Sequence, residues 1–245
     1  MTWILWMLGS AIIAAAVYFW ARYLHRRQRL WRALLNDAIP VNSRWWKDYR
    51  ERTGELLYVA IGDSAAQGIG ASGPGRGYVG ELGRHIRTIS GRSVRVVNLG
   101  VSGATVGLAV RDQLPKLREL EPDILTVAIG ANDMAAFDPV RFEAQLGELF
   151  AALPAHAIVA DIPSFYFLPA EKRVLVANRI LRRLAAERGF PVAPLYARTR
   201  RQRLWGVMTQ FAGDLFHPND RGYRVWASAF IPILNAVLGH DGGDA

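Results

Sequence analysis

Hydrophobic and polar positions follow two regimes along this chain. Residues 2–21 form one nearly unbroken apolar stretch without a charged side chain. From Glu55 onward, short apolar and β-branched runs alternate with longer stretches whose apolar positions recur at helical spacing. The strand-like runs are 56–61, 94–99, 124–129, 157–162 and 190–195. Helical patterns occupy 78–89, 105–119, 139–152 and 171–188, and a last helix follows Pro218-Asn219 to about Leu238. A run such as Leu56-Leu57-Tyr58-Val59-Ala60-Ile61, with no polar alternation, suits a strand buried on both faces. Strands alternating with helices through short connections predict an α/β domain over 54–238, with one parallel sheet covered on both sides. Residues 239–245 read as a polar, glycine-containing tail.

The first regime predicts a different kind of element. Twenty helical residues span about 30 Å, the thickness of a bilayer hydrocarbon core. Trp3, Trp6, Tyr18, Trp20 and Tyr23 lie toward the two ends, as interfacial aromatics do. A cleaved signal peptide would carry a basic segment before the apolar stretch and a small-residue cleavage site after it, and neither is evident. The expectation is a single transmembrane anchor at 1–24. Arg22, Arg26, Arg27, Arg29 and Arg32 crowd its C-terminal side. The positive-inside rule then places the main domain in the cytoplasm as part of a single-pass membrane protein. Residues 25–53 read as a basic juxtamembrane linker. There Leu30, Trp31, Leu34, Leu35 and Ile39 keep helical spacing until Pro40 and Asn42-Ser43 interrupt it before Trp45-Trp46. Such a segment either lies on anionic headgroups or packs its apolar face on the domain.

Composition narrows the classes. The chain of 245 residues is long enough for one α/β domain with a full core, and 21% charged residues is a globular value. With no cysteine there is no disulfide framework and no Cys-based zinc site. A net charge of +9 points toward nucleic acid or membrane surfaces. Residues 22–52, however, hold nine basic and three acidic side chains, +6 of that total, so the remainder is nearly neutral and no nucleic-acid partner is expected.

The candidate chemistry sits where strands end. After the first run comes Gly62-Asp63-Ser64 and a glycine-rich loop; after the second, Gly100-Val101-Ser102-Gly103; after the third, Gly130-Ala131-Asn132-Asp133. Asp214-Leu215-Phe216-His217 precedes the last helix. Ligands of open α/β sheets bind at the carboxyl edge, where these loops gather. A serine hydroxyl is a poor nucleophile until an imidazole takes its proton, and the imidazole needs a carboxylate to fix its tautomer. Asp214 and His217, three residues apart, are within one turn of each other. A tetrahedral intermediate also needs preorganised donors: Gly103 offers a backbone amide at close approach, and Asn132 a side-chain amide.

These four blocks resemble the SGNH (GDSL-type) hydrolase family: a serine in Gly-Asp-Ser, a glycine, an asparagine in Gly-x-Asn-Asp and a histidine in Asp-x-x-His, in that order. The resemblance covers about residues 55–237. It implies a three-layer α/β/α fold of flavodoxin-like type with a five-stranded parallel sheet. It also implies Ser64 as nucleophile, His217 as general base, Asp214 as orienting carboxylate, and an oxyanion hole from the amides of Ser64 and Gly103 and the side chain of Asn132. It implies no metal and no organic cofactor. One departure is the Ala65-Ala66-Gln67-Gly68 stretch after the serine, where the family often has Leu and Ser.

The expected substrate is a lipid or acyl ester. Deacylation of glycans or thioester cleavage uses the same machinery, and a binding module with idle triad residues is the alternative of another class. Ser164–Pro169, Trp205, Met208, Phe211, Leu215 and Phe216 either line an acyl pocket or pack as a satellite core. Arg198, Arg200, Arg201 and Arg203 either meet a phosphate group or form a solvated basic loop.

Overall fold

A computed structural model describes residues 2–239, without the side chains of residues 2, 4, 5 and 8; past Gly239, the polar tail read in the sequence lies outside the described residues. In chain order the elements are α1 (Thr2–Tyr49), β1 (Leu56–Gly62), α2 (Tyr78–Ser90), β2 (Val94–Asn98), α3 (Val106–Asp112), α4 (Leu114–Leu117), β3 (Ile124–Ala128), α5 (Pro139–Ala151), β4 (Ile158–Ala160), α6 (Glu171–Glu187), β5 (Val192–Ala193), α7 (Leu195–Arg200), α8 (Arg203–Thr209) and α9 (Asp220–Leu238).

The five strands pair in parallel in the order β2-β1-β3-β4-β5. Alternate residues of β1 face opposite layers, as the two-residue period of a strand requires. Tyr58 and Ala60 join the layer of α2 and α9, whereas Val59 and Ile61 join that of α3, α5 and α6. The result is the three-layer α/β/α fold with five parallel strands expected from the sequence. Winding reverses between β1 and β3, so their carboxyl ends flank a crevice.

Three local outcomes differ from the sequence reading. The helix expected over 105–119 is two, α3 and α4, with Pro115 in the first turn of the second, where a missing N–H costs nothing. β4 and β5 are shorter than their apolar runs: Pro163 follows the first, and Pro191 and Pro194 bracket the second, removing ladder donors. The short helices α7 and α8 hold too few turns to show a helical period.

The N-terminal region requires a correction. Among the described residues, no helix is long and apolar enough to cross a membrane. The expected single-pass anchor is overturned, and the cytoplasmic orientation inferred from its arginine flank loses its premise. Its apolar stretch ends at Ala21. Beyond Ala21 the same helix continues through Arg22 and the other arginines to Tyr49.

The second half of α1 packs on the domain. Leu35 is buried with Ile69 and Ala212, Ile39 packs beside them, and Trp46 enters the layer of α2 and α9. Asn42 Nδ2 and Trp46 Nε1 both donate to the Gln67 carbonyl, at 3.0 and 3.2 Å. The interruption expected at Pro40 does not occur. An interior proline costs a helix roughly 3 kcal/mol, which the burial of Leu35 and Trp46 on either side can offset. Leu30 and Leu34, on the same expected stripe, remain exposed.

Candidate active site

The serine turn begins where β1 ends. Gln113, fully buried between α3 and α4, grips that strand end from both sides: its Nε2 donates to Gly62 O at 2.8 Å and its Oε1 accepts from Gly62 N at 3.1 Å. Asp63 Oδ1 then accepts from Ala65 N, and Ser64 O from Ile69 N, folding the chain sharply back. Gly70 closes the turn at φ +95°, and a Cβ there would lie 2.5 Å from Pro218 O and 2.8 Å from His217 Cβ. Only a glycine lets the serine turn approach the histidine loop this closely.

The histidine loop is held by its own hydrogen bonds. Asp214 Oδ1 accepts from the amides of Phe216 and His217, both at 3.1 Å, and Ala212 N donates to His217 O at 2.8 Å. Leu215 between them adopts φ +56°, a left-handed conformation that a branched side chain rarely takes and that marks stored strain at a site. Asn219 Nδ2 ties the loop to the carbonyls of Thr209 and Phe211.

These two loops bring together three of the expected side chains. His217 Nδ1 lies 2.6 Å from Asp214 Oδ2, and His217 Nε2 lies 3.1 Å from Ser64 Oγ. Burial alone would raise the Asp214 carboxyl, but the hydrogen bond and charge of His217, with two backbone donors, hold it below its ordinary value. An ionised carboxylate only accepts, so Nδ1 carries the ring proton and Nε2 presents its lone pair to the serine hydroxyl. That is the tautomer a general base requires.

The oxyanion candidates are placed unequally. Gly103 adopts φ +79°, and a Cβ added to it would meet nothing within 4 Å. Among the described residues, neither the Ser64 nor the Gly103 amide has an acceptor. Asn132 lines the same cavity as Ser64, but its Nδ2 already donates to Ala104 O at 2.9 Å and to Asp63 Oδ2 at 3.3 Å. To serve an oxyanion it must turn from one of them.

Asp63 lies beneath the site, and burial pushes its carboxyl from 3.8 up to about 6, against the Ala65 amide and the charge of His217. The folded state therefore holds a proton on Asp63 that the unfolded chain has released, and this contribution to stability is lost as pH rises through that window. Asp214 has the opposite sign: its contribution is present above 3.8 and is lost as pH falls through its depressed folded value. Denaturant midpoints should consequently shift in favour of Asp63→Asn over wild type as pH rises from 4 to 7, by on the order of 1–3 kcal/mol. A difference that stays constant across that range would show that Asp63 titrates normally.

A cavity of about 430 Å³ opens over Ser64 and His217, a volume suited to a small organic ligand. Its walls are mainly apolar: Phe165, Tyr166, Phe167, Leu168, Phe211, Leu215 and Phe216 line it, as one reading of these loops expected. Trp205 and Met208 do not line it and point to solvent. Nor do Arg198, Arg200, Arg201 and Arg203; Arg200 lies 3.6 Å from Glu171.

Other contributors escaped the sequence reading. Gln28 and Arg32, one helical turn apart on α1, also line the cavity. Gln67 links α1 to the glycine loop, since its carbonyl accepts from Asn42 and Trp46 while its Nε2 donates to Gly100 O. The i, i+4 spacing of Gln28 and Arg32 was visible, but nothing local tied that helix to the serine turn.

This fold and this arrangement of serine, histidine and carboxylate define a hydrolase of SGNH type. The chain belongs to the GDSL-like lipase/acylhydrolase family, whose model matches residues 60–225; it is an ester-bond hydrolase, and α1 lies outside the shared module. Among solved structures it resembles LAE5, an alpha/beta hydrolase enzyme from the metagenome of Lake Arreo, at 27% identity and TM-score 0.61, over 77% of this chain and 97% of that one. TesA matches at 21% identity and TM-score 0.61, over 74% and 99% of the two chains. The acetylxylan esterase Axe2 from Geobacillus stearothermophilus matches at 21% and 0.58, over 74% and 94%. These last two likenesses concern the fold alone. No curated protein matches the chain.

Proposed function

We propose that the chain cleaves carboxylic esters bearing an apolar acyl chain, through Ser64, His217 and Asp214 and a covalent acyl-enzyme. The observation that carries this reading is the continuous line Ser64 Oγ–His217 Nε2–Asp214 Oδ2, at 3.1 and 2.6 Å, on the floor of an apolar cavity. Ser64 Oγ attacks the ester carbonyl carbon as its proton passes to His217 Nε2. The negative charge then forming on the carbonyl oxygen is met by the Ser64 and Gly103 amides, joined by Asn132 once it turns. His217 returns the proton to the leaving alkoxide, and the alcohol departs. Water then repeats the sequence on the acyl-enzyme, releasing the acid and restoring the hydroxyl. The aromatic walls favour an acyl chain over the short acetyl group of a glycan, because burying apolar surface there contributes roughly 0.8 kcal/mol per CH₂.

An alkyl fluorophosphonate reports directly on this reading, since it reacts with a serine whose proton has a base to go to. Wild-type protein should be labelled at Ser64 at neutral pH, and heat-denatured protein should not. Failure of the native protein to label would leave the fold intact as a binding module and remove the hydrolytic role.

A further inference from the structure

One wall of the cavity comes from outside the family module. The family match starts at residue 60, whereas Gln28 and Arg32 belong to α1. Their position is fixed by the neighbouring turn. Gln28 Nε2 donates to the carbonyl of Asp214 at 3.0 Å. Trp31 lies flush against Gly213, where a Cβ would come within 2.3 Å of its indole ring atoms. Leu35, on the following turn, is buried against Ile69 and Ala212. Arg32 is thus held between two anchored turns of one helix while its own side chain remains exposed.

Its charge has no counterpart. Among the described residues, Arg32 makes no ion pair and no side-chain hydrogen bond, unlike Arg182 and Arg183, which each meet a carboxylate. The cavity lining contains one carboxylate besides this guanidinium, that of Asp63. Asp63 is buried, and its oxygens face Ala65 N and Asn132 Nδ2. The remaining wall is mainly apolar, with neutral polar side chains such as Ser164, Thr199 and Gln210 and, among the described residues, no second carboxylate. A planar fork of donors at the edge of an apolar cavity is the arrangement that takes a carboxylate or a phosphate.

We infer that Arg32 is an anion-recognition residue, and that the preferred ester carries a carboxylate or phosphate in addition to its apolar chain. This rests on the esterase reading of Ser64. The anion has two possible sources, the far end of the acyl chain or the alcohol moiety, and both present the same chemistry to the guanidinium.

Four soluble esters separate the possibilities: ethyl hexanoate, monoethyl adipate with its carboxylate on the acyl side, hexanoyl glycerol 3-phosphate with its anion on the alcohol side, and hexanoylcholine. The quantity to measure is kcat/KM for each charged ester relative to ethyl hexanoate, in wild type, Arg32→Ala, Arg32→Lys and Arg32→Glu. Wild type should prefer at least one anionic ester over the neutral one. In Arg32→Ala that ratio should fall about tenfold or more, mostly through KM, the scale of a lost charge-assisted hydrogen bond. Arg32→Lys should recover part of it. Arg32→Glu should reverse the preference toward hexanoylcholine, which a role in holding the fold would not produce. An anionic-to-neutral ratio at or below one in wild type, or one that Arg32→Ala leaves unchanged, overturns the inference while the esterase reading stands. If wild type cleaves none of the four and Ser64 resists the fluorophosphonate, the esterase reading falls and the inference falls with it.

Discussion

Ser64→Ala should lower kcat/KM for a hexanoyl ester by about 10⁴-fold or more while lowering stability by no more than about 1 kcal/mol. The hydroxyl donates to one partner in the structure, His217 Nε2. Removing a hydrogen bond of this kind costs stability of about 1 kcal/mol. The turn itself does not depend on that hydroxyl, because Gln113, the Asp63 side chain and the Ser64 carbonyl hold it. Chemistry and fold therefore separate cleanly in this variant. Steady-state turnover and urea unfolding on the same preparation check both halves. Activity within tenfold of wild type would mean that another group attacks the ester.

The second large effect is expected from Asp214→Asn, a loss in kcat of about 10⁴-fold, because the substitution changes a proton's position more than it changes shape. The asparagine oxygen can still accept from the Phe216 and His217 amides, as Asp214 Oδ1 does. The turn through Leu215 should therefore persist. The atom facing His217 Nδ1 becomes an amide donor, so the ring must carry its proton on Nε2, facing the Ser64 hydroxyl, where it can no longer accept that hydroxyl's proton. A positioning role of this kind predicts that kcat falls while KM changes little. Retention of more than about a tenth of wild-type kcat would reduce Asp214 to a loop-forming residue.

The parts of the fold that were legible share one physical origin. Strands buried on both faces, such as 56–61 and 124–129, are continuous apolar runs, and each ends in glycines that a strand interior disfavours. The Asp214-to-His217 spacing was readable because both partners lie in one turn. The roles of Gln113 and Gln67 were not, because each acts through backbone carbonyls or amides contributed by distant loops. Asn132 was found by its motif, whereas its engagement with Ala104 O and Asp63 depends on packing that no local pattern encodes. The N-terminal stretch misled for a related reason. Hydropathy weighs residues 2–21 alone, but they open a helix that runs on to Tyr49 and is seated on the serine and histidine loops by Leu35, Asn42 and Trp46.

That helix is also a mechanical object. No proline interrupts it between Trp3 and Arg32, so at 1.5 Å per residue it forms a stiff rod of about 44 Å. Trp6, Ile12, Phe19 and Trp20 stand exposed along its length, and the guanidinium at the cavity mouth stands near its seated end. The exposed aromatic stretch and one wall of the cavity are thus parts of a single continuous helix, seated at Gln28 and Trp31 on the Gly213-Asp214 turn.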